Sequence, residues 1–367
     1  MSLPPSFPQP DLSASLPVAL KGRGSVDRLA HRFETEARLP FDDGWLQEAD
    51  APPPPATRWT WEDCKSAITR NSSPDIGFDR SINPYRGCEH GCAYCYARPS
   101  HSYLGLSPGL DFETRLIAKR GLQERLIHEL ASPRYRPGLL ALGTVTDAWQ
   151  PLERELGLSR QVLQVLADCR HPVAIVTKGS GIERDLDLLA PMAGQHLARV
   201  VVTVTTLDPV LARRLEPRAP APWRRLRTIR TLAELGIPVG VSVSPQIPFI
   251  NDDMERVLEA AREAGARSAF YVVLRLPWEL APLWRQWLQA HYPERAERVM
   301  ARIHDLRGGK DYDASFATRR TGQGQWAQLI AQRFAKACAR LGLNRERSIW
   351  RLDDFRPPSR SRQMGLF

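Results

Sequence analysis

The sequence predicts an α/β protein, a partial (β/α)6 TIM-type barrel with a Pro-rich N-terminal extension and a helical C-terminal extension. Between about Ser81 and Leu274, short β-branched or apolar runs alternate with amphipathic segments of helical period. About six such units occur, fewer than the eight that close a TIM barrel. The flanks lack this alternation: the first 57 residues are dense in proline, and beyond Pro277 only helical periodicity continues. These composition shifts predict three regions, at residues 1–57, 58–277 and 278–367.

In chain order, the leading region ends in the run Pro52 to Pro55 and is read as flexible or draped over the domain, with Arg28 to Trp45 docking locally. Strands are expected at Leu139–Val145, Val173–Thr177, Val200–Thr205, Val239–Val243 and Ala269–Leu274, after a first strand that leads into Cys88. Helices are expected at Ser159–Cys169, Ile182–Leu189, Trp223–Leu235 and Asn251–Ala264. Gly236 followed by Pro238 is a helix-stop signal, and Asn251 or Asp252 suits an N-cap. Repeated βα units imply a parallel sheet. Leu280–Gln289, Glu294–Leu306 and Gln325–Leu341 read as the C-terminal helices, and the final stretch from Arg356 as extended or frayed.

Composition narrows the class. With 43% hydrophobic and 25% charged residues the chain suits a soluble globular protein. No apolar run reaches membrane-spanning length, and no signal peptide is evident, so a cytoplasmic protein without membrane attachment is expected. Six cysteines are too few for a disulfide scaffold and suit a reducing compartment. The net charge of +10, carried mostly by arginine, invites a nucleic-acid partner. Much of the cluster from Trp223 to Arg230 instead reads as the polar face of a helix.

Three of the cysteines lie within eight residues: Cys88, Cys92 and Cys95, spaced Cys-x3-Cys-x2-Cys in GCEHGCAYCYAR. Three thiolates can hold three irons of a cubane cluster and leave the fourth iron open. Structural zinc normally closes with a second, distant pair of ligands, which is missing here. Zinc with His90 or His101 as fourth ligand, and simple packed thiols, remain the alternatives. In parallel βα architectures ligands gather at the strand C-terminal ends. Polar groups sit at those ends: Thr144, Thr146 and Asp147; Thr177 and Lys178; Thr203, Thr205 and Thr206; Ser244, Gln246 and Asn251.

The fragments NPYRGCEHGCAYCYAR, VTDAWQPLE, TKGSGIERDLDLL, RLEPRAPAPWRRL and PQIPFIND, in this order, resemble the radical SAM superfamily, and within it the spore photoproduct lyase-like branch. The resemblance implies a [4Fe-4S] cluster on Cys88, Cys92 and Cys95, with S-adenosylmethionine on the open iron. It implies reductive cleavage of that cofactor, hydrogen abstraction from a substrate, and a one-electron donor such as flavodoxin or ferredoxin. Tyr94 matches the aromatic position beside the adenine. Thr144 and Asp147 fall where the cofactor's amino group is contacted, Lys178 where its carboxylate is met, and Thr203 or Thr205 where a ribose contact is expected. Tyr96 matches a tyrosine of the lyase's radical relay, and is the expected catalytic residue.

One departure stands out. Where the lyase carries a hydrogen-donating cysteine, this chain has Thr144, and GTVTD contains no thiol. The expected function is therefore a radical SAM enzyme acting on a nucleic acid, a protein or a small molecule, with a cluster-bearing sensor as the alternative. The content of Arg, His and Tyr in the flanking segments places the expected substrate over the barrel mouth, near His101 and Tyr103.

Overall fold

The computed structural model describes residues 19–34, 56–346 and 349–358. Its strands are β1 (Arg58–Asp63), β2 (Thr69–Arg70), β3 (Arg80–Ile82), β4 (Tyr85–Arg86), β5 (Arg115–Arg120), β6 (Leu140–Leu142), β7 (Val173–Thr177), β8 (Ala198–Thr203), β9 (Val239–Ser242) and β10 (Ser268–Phe270). The principal sheet runs β10-β9-β8-β7-β6-β3-β2, and its strands from β3 to β10 are parallel and follow chain order, with β4 and β5 departing to a second sheet between β3 and β6. That sequential order is a barrel's, left open because β10 and β2 are edges. The sixfold expectation therefore holds. A second, three-stranded sheet, β1-β5-β4, was not anticipated, because its strands alternate charged and apolar residues like exposed loops.

The central strands are short apolar runs because both faces are covered. All of β6 and β9 is buried, and Val173 and Ile175 of β7 are fully enclosed. The helices are α1 (Asp111–Thr114), α2 (Leu122–Leu130), α3 (Glu153–Leu156), α4 (Leu158–Asp168), α5 (Leu186–Gly194), α6 (Pro209–Leu215), α7 (Pro222–Glu234), α8 (Met254–Glu263), α9 (Leu280–His291), α10 (Ala296–Leu306) and α11 (Gly324–Leu341). Gly236 ends α7 with φ +71, the left-handed conformation that glycine adopts without strain. The predicted cap of α8 is corrected. Asp253 occupies that position without bonding the helix, and Asn251 instead ties Ile247 N–H to the Thr205 and Pro245 carbonyls. Ile182–Leu189 is likewise a 3-10 turn, Ser180–Asp185, running into α5.

Two regions outside the barrel bear on the site. Helix α9 buries Trp284 and Trp287, stacked with centroids 4.7 Å apart, in the same apolar cluster as Cys92, Ala93 and Tyr94. Helices α9 and α10 thus pack against the cysteine loop, whereas α11 packs on α8 and α10. Residues 19–34 also pack on that loop, with Leu29 against the same apolar cluster and Gly24 and Ser25 on Glu113. Arg32 pairs with Glu279 at 2.8 Å and docks this segment, whereas the rest of Arg28 to Trp45 and the proline run fall outside the described residues. Of the final stretch, Arg356 N–H bonds the Cys169 carbonyl at 2.8 Å, and residues from 359 onward lie outside the description. Among the described residues no helix is long and apolar enough to cross a membrane.

Candidate active site at the cysteine loop

The loop that carries the three cysteines follows β4 and is bent by two glycines. Gly87 (φ +76) leaves no room for a side chain, since a Cβ would stand 2.7 Å from the Phe112 carbonyl. Gly91 (φ +65) makes the turn between Cys88 and Cys92. Gln150 clasps the loop by accepting from Glu89 N–H at 2.8 Å and donating to the Gly87 carbonyl at 3.3 Å.

Arg98, fully buried, knots the loop from within. Its guanidinium donates to the carbonyls of Gly91, Cys92, Pro108 and Gly109 and to the Glu113 carboxylate at 3.0 Å. Glu113, equally buried, also accepts the backbone N–H groups of Gly24 and Ser25 at 3.0 and 2.9 Å. The amino-terminal segment is thereby bonded to the cysteine loop through one carboxylate. Gly24 is required there: a Cβ would fall 1.6 Å from the Gly91 carbonyl oxygen.

Cys88 and Cys92 are buried and Cys95 is half-buried. Burial pushes the Cys88 thiol well above its ordinary range, and Asp147, Cys92 and Cys95 add to the shift. Cys95 packs against both the apolar cluster that holds Cys88 and the one that holds Cys92. Burial raises the Cys92 thiol to about 12, against the pull of Lys178. Buried thiols that repel one another as thiolates are a donor set completed by a cationic iron–sulfur group. Among the described residues no three His, Cys, Asp or Glu side chains converge closely enough to hold one metal ion.

The zinc alternatives use histidines that are engaged elsewhere. His90 Nδ1 lies 3.3 Å from the Asp147 carboxylate. His101 is fully buried under Gly87, its Nε2 3.1 Å from the Arg115 carbonyl. The expectation that His101 lies at the barrel mouth is therefore corrected; its neighbour Tyr103 is exposed and packs on Phe33 and Arg32.

Asp147 is saturated by the chain itself. One oxygen accepts from Trp149 N–H (2.9 Å) and the Thr177 hydroxyl (2.6 Å), the other from Lys178 N–H (2.6 Å) and faces His90. A carboxylate offers about four acceptor sites, and all are taken. Burial would raise its pKa, but His90 and these hydrogen bonds outweigh it and hold the carboxyl well below the usual range. Asp147 accordingly positions Lys178 and Thr177 and has no site left for a cofactor's amino group. Thr144 is half-buried, its hydroxyl 3.4 Å from the Asn83 amide, and its carbonyl accepts from the Tyr96 hydroxyl.

A second buried network underlies Tyr94. Its hydroxyl contacts both Thr205 and the Glu216 carboxylate. Glu216 also accepts from the Thr205 hydroxyl at 2.6 Å and is paired with Arg225, which donates further to the carbonyls of Thr203 and Pro220. Burial opposes ionisation of Glu216, yet Arg225 and Lys178 prevail and bring its pKa down to about 2. The Lys178 ammonium stands 5.7 Å from the Tyr94 ring centroid. Thr205 is therefore spent on this network. Thr203 is buried at the end of β8, and nearby the Ser244 hydroxyl is buried without a partner among the described residues. Glu216 and Arg225 were not singled out from sequence; the signal was a Glu and an Arg within RLEPRAPAPWRRL, nine residues apart.

The sequence profile of the radical SAM superfamily matches residues 82–261. A protein of Mycobacterium tuberculosis, named only as uncharacterised, is 35% identical over 239 residues, 64% of this chain and 70% of the relative. The chain belongs to the radical SAM superfamily. Its cofactors are accordingly a [4Fe-4S] cluster and S-adenosylmethionine, and the three thiols, the Lys178 ammonium and the unpartnered Ser244 hydroxyl suit them. An uncharacterised protein of Methanocaldococcus jannaschii is 27% identical over 218 residues, covering 59% of this chain and 78% of that one. Among solved structures, a variant of spore photoproduct lyase with bound AdoMet and dinucleoside spore photoproduct is similar, with a TM-score of 0.49, 14% identity and coverage of 77% and 78%.

Proposed function

We propose that this radical SAM enzyme takes a hydrogen atom from a nucleic acid laid across the C-terminal ends of the strands. The observation that carries this reading is Arg275. Its guanidinium lies 4.9 Å from the Tyr96 ring centroid and 5.9 Å from that of Tyr312, and donates to the Tyr312 hydroxyl at 3.3 Å. No carboxylate among the described residues pairs with it. A guanidinium held between aromatic rings beside the residue after Cys95 suits phosphate recognition and base stacking together. Arg320, whose guanidinium donates to the Asp75 carbonyl, adds a cation, whereas Arg319 is neutralised by Asp75.

Cys88, Cys92 and Cys95 hold the cluster in this reading, and Lys178, fixed by Asp147, meets the carboxylate of S-adenosylmethionine. When bound, these cofactors supply one-electron cleavage of the sulfonium and, with it, the means of hydrogen abstraction. Thr144, Thr203 and Ser244 offer hydroxyls to the amino group and ribose, while Tyr94 is a rigid aromatic wall for the adenine. Thr205 and Asp147 act through the groups they hold. Tyr96, 45% exposed, is the chain's candidate for relaying a hydrogen atom, since Cys64, Cys169 and Cys338 all lie away from the loop. Cys169, for instance, follows α4 at the opposite end of the strands. The reducing electron comes from an acidic carrier such as flavodoxin or ferredoxin, drawn to the net positive chain. The six unbridged cysteines support a cytoplasmic setting.

Anaerobic reconstitution tests the reading. The protein should bind about four irons and, with reductant, release 5′-deoxyadenosine, and Cys92→Ala should abolish both. Iron without deoxyadenosine would favour a sensor, and zinc would overturn the cluster. Fluorescence anisotropy with single- and double-stranded oligonucleotides should show salt-dependent binding. Arg275→Ala should lower the salt slope by about one.

A further inference from the structure

The opposite end of the barrel carries a cavity of about 870 Å³ that plays no part in the chemistry above. It is bounded by the first residues of β8, β9 and β10, by the last turns of α7, α8 and α11, and by Trp350. The cysteine loop lies beyond the other ends of the strands, so the two sites are separated by the length of the sheet. Five arginines line the cavity: Arg199, Arg262, Arg267, Arg340 and Arg345. Glu346 is the only carboxylate among its lining residues.

Arginines near helix C-termini have an ordinary explanation, since they compensate the negative end of the helix dipole. Arg262 does so, donating to the Leu341 carbonyl at 3.0 Å, and Arg340 is neutralised by Glu259 at 3.0 Å. That explanation falls short in magnitude. Three helix C-termini supply about half a negative charge each. Together with Glu346 and Glu259 they leave an excess of about +1.5. Arg199, Arg267 and Arg345 have no carboxylate partner among the described residues. Arg199 is moreover half-buried, with its guanidinium 5.6 Å from the Trp350 ring centroid.

We propose that this cavity is a second binding site, for a phosphate-bearing ligand of nucleotide size. Its volume falls within the roughly 300–1,000 Å³ of small-molecule sites. Unpaired guanidiniums match phosphate oxygens through paired N–H donors. Trp350 offers an aromatic face for a base. The same phosphate chemistry is presented by a free nucleotide and by a nucleic-acid backbone.

Isothermal titration of the reconstituted full chain at low salt, with pyrophosphate, ATP and a short single-stranded oligonucleotide in turn, tests the proposal. One equivalent of ATP or pyrophosphate should bind, and Arg199→Glu or Arg345→Glu should weaken it at least tenfold while iron content stays unchanged. Arg345 is exposed, so its variant cannot bury an unpaired charge and serves as the folding control. Binding of the oligonucleotide alone, sensitive to Arg199→Glu but not to Arg275→Ala, would support the site and name the backbone as its source. Failure of all three probes to bind, or wild-type affinity in both variants, would overturn it. Neither result bears on deoxyadenosine release, so the mouth and the cavity are tested separately.

Discussion

Glu216 and Arg225 form an ion pair wholly enclosed beneath the cysteine loop, with the Tyr94 hydroxyl resting on the same carboxylate. Neither charge reaches water, so each depends on the other. Removing one partner of such a pair typically costs about 3–5 kcal/mol, because the remaining charge is stranded. Arg225→Met should therefore unfold at markedly lower denaturant than Glu216→Gln/Arg225→Met, in which both charges are gone. Equal losses in the single and double variants, measured by urea denaturation, would show that the pair is not coupled.

Gly24 predicts the importance of the amino-terminal segment. Any side chain there collides with the Gly91 carbonyl and must lift residues 22–25 from Glu113. Gly24→Val should leave the barrel folded but speed cluster loss in the presence of a chelator several-fold, followed by visible absorbance. An unchanged rate would mean that the segment merely rests on the loop.

Lys178 is held by Asp147 through its backbone, and its ammonium stands 5.7 Å from the Tyr94 ring centroid. Lys178→Met should weaken S-adenosylmethionine binding about tenfold or more, the equivalent of 1.4 kcal/mol. Iron content and the cluster's optical spectrum should be retained. Equilibrium dialysis gives the affinity, and wild-type binding would remove Lys178 from the cofactor site.

Two histidines make stability pH-dependent. Burial brings His101 and His171 down from 6.5 to about 4, and His171 Nε2 meets the Tyr135 hydroxyl at 2.7 Å. Both are neutral when folded and take up a proton on unfolding below pH 6.5, so acid favours the unfolded chain. Their contribution is complete above pH 6.5 and is lost as the pH falls toward 4, by on the order of 3 kcal/mol each. His171→Gln should flatten the stability profile between pH 6.5 and 4 while leaving the profile above pH 7 parallel to wild type.

The barrel was legible because apolar runs such as Val173–Thr177 have the period and length of buried strands, and that strand appears with the predicted ends. Strands β1 and β5 were not, since RWTWED and RLIAKR carry too many charges to read as buried. Among site residues, the three cysteines stand together in sequence and in space. The ring of strand-end hydroxyls was found in the right place but resolved differently. Thr146, Thr177, Thr205 and Thr206 each bond another part of the chain, to Tyr85, Asp147, Glu216 and Asp253 respectively.

By itself, the sequence determined the α/β alternation, the three closely spaced thiols and the superfamily, since each is written in local spacing. Only the tertiary structure decided which polar groups are free. Asp147 and Thr205 are consumed by partners 30 and 11 residues away, while the Ser244 hydroxyl is buried without a partner, the Lys178 ammonium stands over the Tyr94 ring, and Arg275 lies against Tyr96 with no carboxylate pairing it among the described residues. Hydrogen-bond capacity is limited and is shared out among neighbours in space, and those neighbours are set by packing rather than by order along the chain.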